Sequence, residues 1–453
     1  MTRLRSSYKY FYKMLNRFKT IFFFIIVVFI SPVQAQKILS LEEAVAAALK
    51  NNYDIQLLRN DSSVYALNKS YARAAFLPRF NATSAVLFNN NNLKQKLADG
   101  SERKQNSIRS NNINASVNMN WTVFDGLKMF ATRDKLSEFV KLGNLNIKSQ
   151  LTNTVSDIIK TYYNIVRQKQ QQKAIEEQMG INNERVKQAE KKLSVGLGAK
   201  PELLQSKLDL NAQKAARLQQ ITLIEKLKEQ LNLLLVFAPG TSYDVTDSII
   251  FDNSLIAGEI FSSAEKNNPE LQVAKQNISI AGLTLKERKA ERYPTISLNS
   301  AYNFTKTNNK VVVNNFTPLF NRNYGFNYGV SINIPILNNF TVKRQIEEAQ
   351  LDIDYQKILY DYQKSRIDIA ISIAYKDYEL QKKTLELEEE NIKLAKENVY
   401  IAVERFRLGI STSLDLRETQ RSLEDGYNRL IAARYNTKIA ETELLRLRGD
   451  LVK

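Results

Sequence analysis

The sequence predicts an α+β membrane protein with an internal two-fold structural repeat, each half supplying two β-strands and one long helical hairpin. Three observations predict it. Segments recur at a fixed offset: Asn51-Asn52-Tyr53-Asp54-Ile55 returns as Asn267-Asn268-Pro269-Glu270-Leu271, and Pro78 returns as Pro294, both 216 positions on (51 to 267, 78 to 294). Near the end of each half Val195-Gly196-Leu197 returns as Leu408-Gly409-Ile410, now 213 positions on (195 to 408). Such a period is far too long for a solenoid repeat, so it marks a duplicated unit of several elements. The other two observations are strand-period alternation and helical stretches of exceptional length, taken below in chain order.

Residues 1–35 read as a secretory signal. Arg3, Arg5, Lys9, Lys13, Arg17 and Lys19 precede an apolar run at 21–30 that is too short to span a bilayer, and Ala35 suits cleavage. Six of the +18 net charges lie in this leader with no acid beside them, which leaves +12 on the remainder. No nucleic acid partner is expected of an exported chain, and most of the remaining cations alternate with acids on polar helix faces, as in Glu404-Arg405 and Arg417-Glu418.

The first repeat is expected over 36–240. It opens with a helical segment near 41–70, followed by strands at about 80–90 and 112–124. In the second strand Ile113, Ala115, Val117, Met119, Trp121 and Val123 share one face, and Asn114, Ser116, Asn118, Asn120 and Thr122 the other. From 128 to 194 there is no proline and only two glycines. A helix of that extent is on the order of 100 Å long. It turns at a tip near 195–201, and a second helix returns to about 235, with Pro201 suited to its first turn.

A linker over 241–258 precedes the second repeat, 259–453. That repeat has a helix near 259–288, strands at about 295–304 and 324–336, and an uninterrupted helical stretch at 341–408. Its tip falls near 408–413, with Ser413 as the expected N-cap. The fourth strand sets Phe326, Tyr328, Val330, Ile332 and Ile334 against Asn327, Gly329, Ser331 and Asn333. Runs of about ten residues, apolar on one side and small and polar on the other, suit a strand between lipid and a wet lumen. Val117, Met119, Trp121, Phe326, Tyr328 and Val330 are therefore the expected lipid-facing residues. The polar stretches 89–110 and 305–322 read as surface loops. Along the long helices apolar residues recur in steps of four and three, as in Leu151, Val155, Ile158, Tyr162, Ile165 and in Ile371, Tyr375, Tyr378, with Lys382 and Glu389 interrupting the continued register. Four strands enclose nothing and leave open edges in lipid, so other copies of the chain must complete them; three copies give twelve strands.

In this order and spacing the two-fold repeat, Val123-Phe124-Asp125-Gly126 with Leu337-Asn338-Asn339 in its place, and the two tip turns resemble the TolC-like outer membrane efflux family, over essentially all the residues after the leader. The resemblance implies a homotrimer whose 12-stranded outer-membrane β-barrel, four strands per chain, is continued by a long α-helical coiled-coil barrel through the periplasm. It implies an equatorial region near 237–261 with the C-terminal residues. It also implies docking of a periplasmic adaptor (membrane fusion protein) at Val195, Gly196, Leu197, Arg407, Leu408 and Gly409, and through it an inner-membrane pump. In such proteins acids just past the second tip ring the periplasmic aperture. The matching positions are Asp415 and Glu418, with Glu202 in the equivalent place of the first half. The family's latch arginine is replaced by Ser411, leaving Arg407 or Lys200 as substitutes.

The chain has no Cys and no His, which removes disulfides, thiolate metal sites and the commonest general base. It holds no phosphate-cradling glycine loop and no catalytic constellation, so no enzyme and no cofactor is expected. With Met119, Met129 and Met179 as the only thioethers beyond the leader, a dedicated soft-metal exporter is the least expected cargo class. The expected function is a passive exit channel of a tripartite efflux or type I secretion system. The rival is a trimeric coiled-coil envelope spacer or adhesin stalk, which leaves the paired amphipathic strands unexplained.

Overall fold

A computed structural model describes residues 38–251, 255–313 and 316–452. The leader expected at 1–35 and part of the 241–258 linker lie outside them. Strand β1 (Ile38–Leu39) leads to α1 (Leu41–Asn51), α2 (Tyr53–Ser70) and a 3-10 turn at Tyr71–Phe76. Strands β2 (Arg79–Lys96) and β3 (Glu102–Asp125) follow, then the hairpin of α3 (Lys128–Ser194) and α4 (Lys200–Leu235). The second half runs β4 (Asp244–Val245), α5 (Ala257–Asn267), α6 (Pro269–Ala290), β5 (Thr295–Asn309), β6 (Phe320–Asn333), α7 (Thr341–Arg407) and α8 (Ser413–Arg448). Helices α3 and α7 have 67 residues each, and α4 and α8 have 36 each. Among the described residues no helix is long and apolar enough to cross a membrane.

The Asn-Asn signature has a physical role that its recurrence did not reveal. The helix expected over 41–70 is broken at Asn52, and the one over 259–288 at Asn268. Asn52 is buried; its side-chain oxygen accepts from the backbone N–H groups of Asp54 and Ile55, capping α2. Its side-chain amide donates to the Leu234 carbonyl at 3.1 Å, in the last turn of α4. Asn268 repeats this at α6, accepting from Glu270 and Leu271 and donating to the Leu447 carbonyl at 2.9 Å. One side chain in each half thus starts a helix and closes a free carbonyl at the end of the returning one.

The entries to α3 and α7 also match. Two consecutive left-handed residues precede each helix, Gly126/Leu127 and Asn339/Phe340. Only glycine fits at 126, because a Cβ would lie 2.3 Å from the Ala290 carbonyl oxygen. Asp125 caps α3 through the Met129 N–H.

Strands β2, β3, β5 and β6 form one antiparallel sheet in that order, with β2 and β6 as unpaired edges. Three of the expected strand spans lengthen. The stretch 89–110 is mostly ladder, with a turn confined to 97–101, and 305–322 holds the ends of β5 and β6. Polar residues hid these extensions, since alternation cannot mark a strand that is mostly polar on both faces. The fourth strand stops at Asn333 rather than 336, where Pro335 removes a ladder donor. Not one residue of the four strands is buried.

The cores lie in the helices. Near the strand end, Tyr162, Ile165, Leu231 and Leu235 pack with α1 and β4 in the first half, and Ile260, Ile371, Leu444 and Leu447 in the second. The seam of α7 is not interrupted. It runs every seven residues through Ile371, Tyr378, Leu385, Ile392, Val399 and Phe406, and Lys382 and Glu389 flank it. Four of its residues face the heptad partners Leu416, Leu423 and Leu430 of α8.

Candidate functional site

The two hairpin tips share one backbone device. At the end of α3 the Gly196 N–H bonds the Leu193 carbonyl and the Leu197 N–H the Lys192 carbonyl; at the end of α7 Gly409 bonds Phe406 and Ile410 bonds Arg405. Both glycines are left-handed, with φ of 76° and 75°. These are Schellman turns, whose central residue pays the least strain as glycine. The turns push large apolar side chains outward: Val195, Leu197 (84% exposed), Leu408 (73%) and Ile410 have little cover. Arg407 is held by Glu404 on its own helix at 2.8 Å.

The starts of the returning helices differ. Thr412, rather than Ser413, is the N-cap of α8, because its hydroxyl accepts from Asp415 N–H while the Asp415 carboxylate accepts from Thr412 N–H at 3.0 Å. Hydrogen bonds from the backbone and then the side chain of Thr412 hold the Asp415 carboxyl below the usual aspartate range. Its counterpart in α4, Glu202, sits in the first turn after an Ala199 cap that has no side-chain bond. Glu418 is exposed and lines a recess among α3, α4 and α8. That recess brings together three carboxylates, Asp209, Glu418 and Glu424, and three guanidinium groups, Arg185, Arg417 and Arg421.

Freed from the cap, Ser413 meets the residue that sequence reasoning missed. Arg185, on α3 about two and a half turns above the tip, is 3% exposed. Its Nη1 donates to Asn182 (3.1 Å), Asp209 (3.2 Å) and Gln420 (3.3 Å), and its Nη2 to Ser413 Oγ (3.3 Å). Gln420 donates in turn to Asn182, and Arg417 approaches the other oxygen of Asp209 at 3.5 Å. This node ties the first hairpin to the second directly above their tips. The signal lay in the seam, where an arginine follows Gln178 and Asn182 at core spacing.

At the other end the sheet sorts its faces sharply. The cross-strand rows Phe80–Met119–Ser300–Tyr328 and Ala82–Val117–Tyr302–Phe326 lie on one side, as does Trp121–Leu298–Val330. The six residues expected to face lipid therefore share this side. The alternate rows, such as Asn81–Asn118–Ala301–Asn327 and Thr83–Ser116–Asn303–Gly325, are small and polar. The indole of Trp121 donates to the Phe76 carbonyl at 2.9 Å, anchoring the sheet to the 3-10 turn beneath it.

An unburied sheet with two open edges, one apolar and one polar face, set on two helices about 100 Å long, marks an outer membrane channel protein. The outer membrane efflux protein family model matches residues 44–235 and 260–450, and the chain belongs to that family. The outer membrane efflux protein BepC of Brucella suis biovar 1 (strain 1330) is 21% identical over 423 residues, covering 91% of this chain and 86% of that protein. The fold matches the Campylobacter jejuni CmeC outer membrane channel with a TM-score of 0.74 at 16% identity, over 90% of this chain and 85% of that one. It matches the outer membrane protein VceC of Vibrio cholerae with a TM-score of 0.72 at 14% identity, over 90% and 96%. These relatives are channels or membrane proteins by description, and the chain resides in the outer membrane and reaches into the periplasm.

Proposed function

We propose that three copies close into a 12-stranded barrel and a continuous helical cylinder, forming the passive exit duct of a tripartite efflux or type I secretion system. No bond is broken in the duct; an inner-membrane pump supplies the energy through an adaptor. The observation that carries this reading is the sheet itself. Its strands bury nothing and its edges are unpaired, which lipid tolerates only when the strands meet others in a closed ring. The exposed apolar tips at Val195, Gly196, Leu197 and Arg407, Leu408, Gly409 suit an adaptor's docking surface. The Arg185 node suits a tie that keeps the two hairpins together at rest and releases when an adaptor favours a splayed arrangement. Glu418, with Glu202 and Asp415 behind it, borders the mouth, where neighbouring arginines moderate its selectivity for cations.

The test is single-channel recording in planar bilayers of the purified full-length protein and of its Glu418→Ala and Asp415→Ala forms. Small openings in the wild type, with selectivity shifting more in Glu418→Ala, fit the duct and its mouth. Unchanged selectivity removes the acids from the mouth while leaving the duct; no conductance from well-folded oligomers transfers the reading to a structural stalk.

A further inference from the structure

The lipid-facing side of the sheet changes chemistry at its outer end. Above the row of Phe304 and Tyr324 the next row is Val86–Ile113–Lys306–Arg322, followed by Phe88–Asn111–Asn308–Phe320. Lys306 Nζ lies 5.7 Å from the centre of the Phe320 ring and Arg322 Cζ lies 5.6 Å from it, so one aromatic ring gathers both cations. Arg109 and Lys310 continue the same side one row further out, joined by the Lys310 N–H to the Arg109 carbonyl at 2.9 Å. Among the described residues none of the four has a carboxylate within ion-pair distance.

Two facts decide what these cations face. The first is sorting. On the opposite side, from the Asn81 row to Asn309, every residue is uncharged, so the charges do not serve the lumen. The second is height. From Ile296–Ile332 to Lys306–Arg322 is ten residues along β5, about 33 Å of strand. At the tilt of a membrane barrel that is a rise of roughly 25 Å, the height of the apolar band. The cations therefore stand where acyl chains end and headgroups begin.

We propose that Lys306 and Arg322, carried on Phe320 and backed by Arg109 and Lys310, bind the phosphate groups of the phosphorylated glycolipid in the outer leaflet. The inference rests on the proposed lipid contact of this face. A guanidinium beside an ammonium supplies both the forked and the point-charge modes of phosphate recognition, and the aromatic ring seats in the interface beside them.

The experiment uses full-length protein in zwitterionic nanodiscs doped with diphosphoryl lipid A or with dephosphorylated lipid A, and counts the lipid A retained per chain after exchange into plain micelles. Two interfacial cations predict a preference for the phosphorylated form of about thirtyfold. The Lys306→Gln/Arg322→Gln double variant is expected to lose that preference. Equal retention of the two lipids, or a double variant that keeps the preference, overturns the proposal. Displacement of the lipid by inorganic phosphate at a concentration no higher than the lipid's own overturns it in favour of a free-anion site. Quenching of Trp121, the chain's single tryptophan, by brominated acyl chains is read in the same discs. Quenching without a lipid A preference defeats the phosphate site alone, whereas no quenching defeats the lipid-facing assignment together with it.

Discussion

The two hairpins have equal helices and equal turns, yet the halves nearest their tips are held together by different chemistry. In the second hairpin the buried seam towards the tip is mostly apolar, with Leu385, Ile392, Val399, Ala402 and Phe406 on α7 and Leu416, Leu423 and Leu430 on α8, and Gln420 as its buried polar side chain. In the first it is mixed below Val166, with Gln178, Asn182 and Arg185 buried on α3 beside Ala174, Val186 and Ala189, and Ser206 and Gln220 buried on α4. Separating an apolar seam exposes each side chain at about 1.5–3 kcal/mol. A hydrogen-bonded seam exchanges partners for water at a net cost of about 1 kcal/mol per bond. The second hairpin is therefore the rigid member, and the first is the one whose contacts can be remade.

That contrast can be broken most forcefully at Leu423, which is 1% exposed. Leu423→Ala is expected to lower stability by about 2–5 kcal/mol, read from the denaturant midpoint of helical circular dichroism, with single-channel conductance unchanged. An opened pore at an unmoved midpoint would reverse the roles of the hairpins. Arg185→Ala is expected to cost less, about 1–3 kcal/mol, because Arg417 still faces Asp209. It should instead enlarge channel openings severalfold in planar bilayers; a conductance equal to the wild type's would show that the node does not hold the tips.

Above the polar stretch the halves are alike, and there the comparison is sharpened by symmetry. Asn52→Ala and Asn268→Ala should each cost about 1–2 kcal/mol, since each loses a cap and leaves a carbonyl unpaired. Unequal losses would mean that the repeat is one of backbone path without energetic equivalence. The smallest effect is expected at the helix starts. The folded-state pKa of Asp415 is depressed, so its stabilisation of α8 is present above the ordinary carboxylate pKa of about 4 and is lost as pH falls through the lower folded value. Hydrogen exchange over acidic pH should show α8 losing protection at its first turn, while α4, begun by Ala199 without a side-chain cap, changes less.

Much of the plan was legible in the sequence because it is written in periods. Alternation located the strand pairs, and the absence of breakers over 341–408 located a helix that ends at Arg407. What stayed hidden depended on contacts between distant segments. The polar outer parts of β2 and β3 lack an apolar face, so they read as loop. The steps of four and three through Ile371, Tyr375 and Tyr378 carry on to Lys382 and Glu389, whereas the buried seam keeps only the seven-residue row of Ile371, Tyr378 and Leu385. Arg185 carries no local mark of its role, because nothing near it in the sequence shows that Asp209 lies 3.2 Å away on another helix. Asn52 and Asn268 were visible as repeated letters, but their bonds to Leu234 and Leu447 cross 182 and 179 residues.

The unburied sheet has a consequence for biogenesis. The hairpins bring their own cores and can fold as soon as the chain reaches the periplasm. The strands have neither a core nor closed edges to offer, so in the ring proposed above their folding waits on other strands and on lipid. Maturation should then depend on chain concentration, and a chain waiting alone presents β2 and β6 to proteases and to misplaced pairing. For the closed ring proposed above, the expected slow step is therefore the meeting of chains rather than the folding of one.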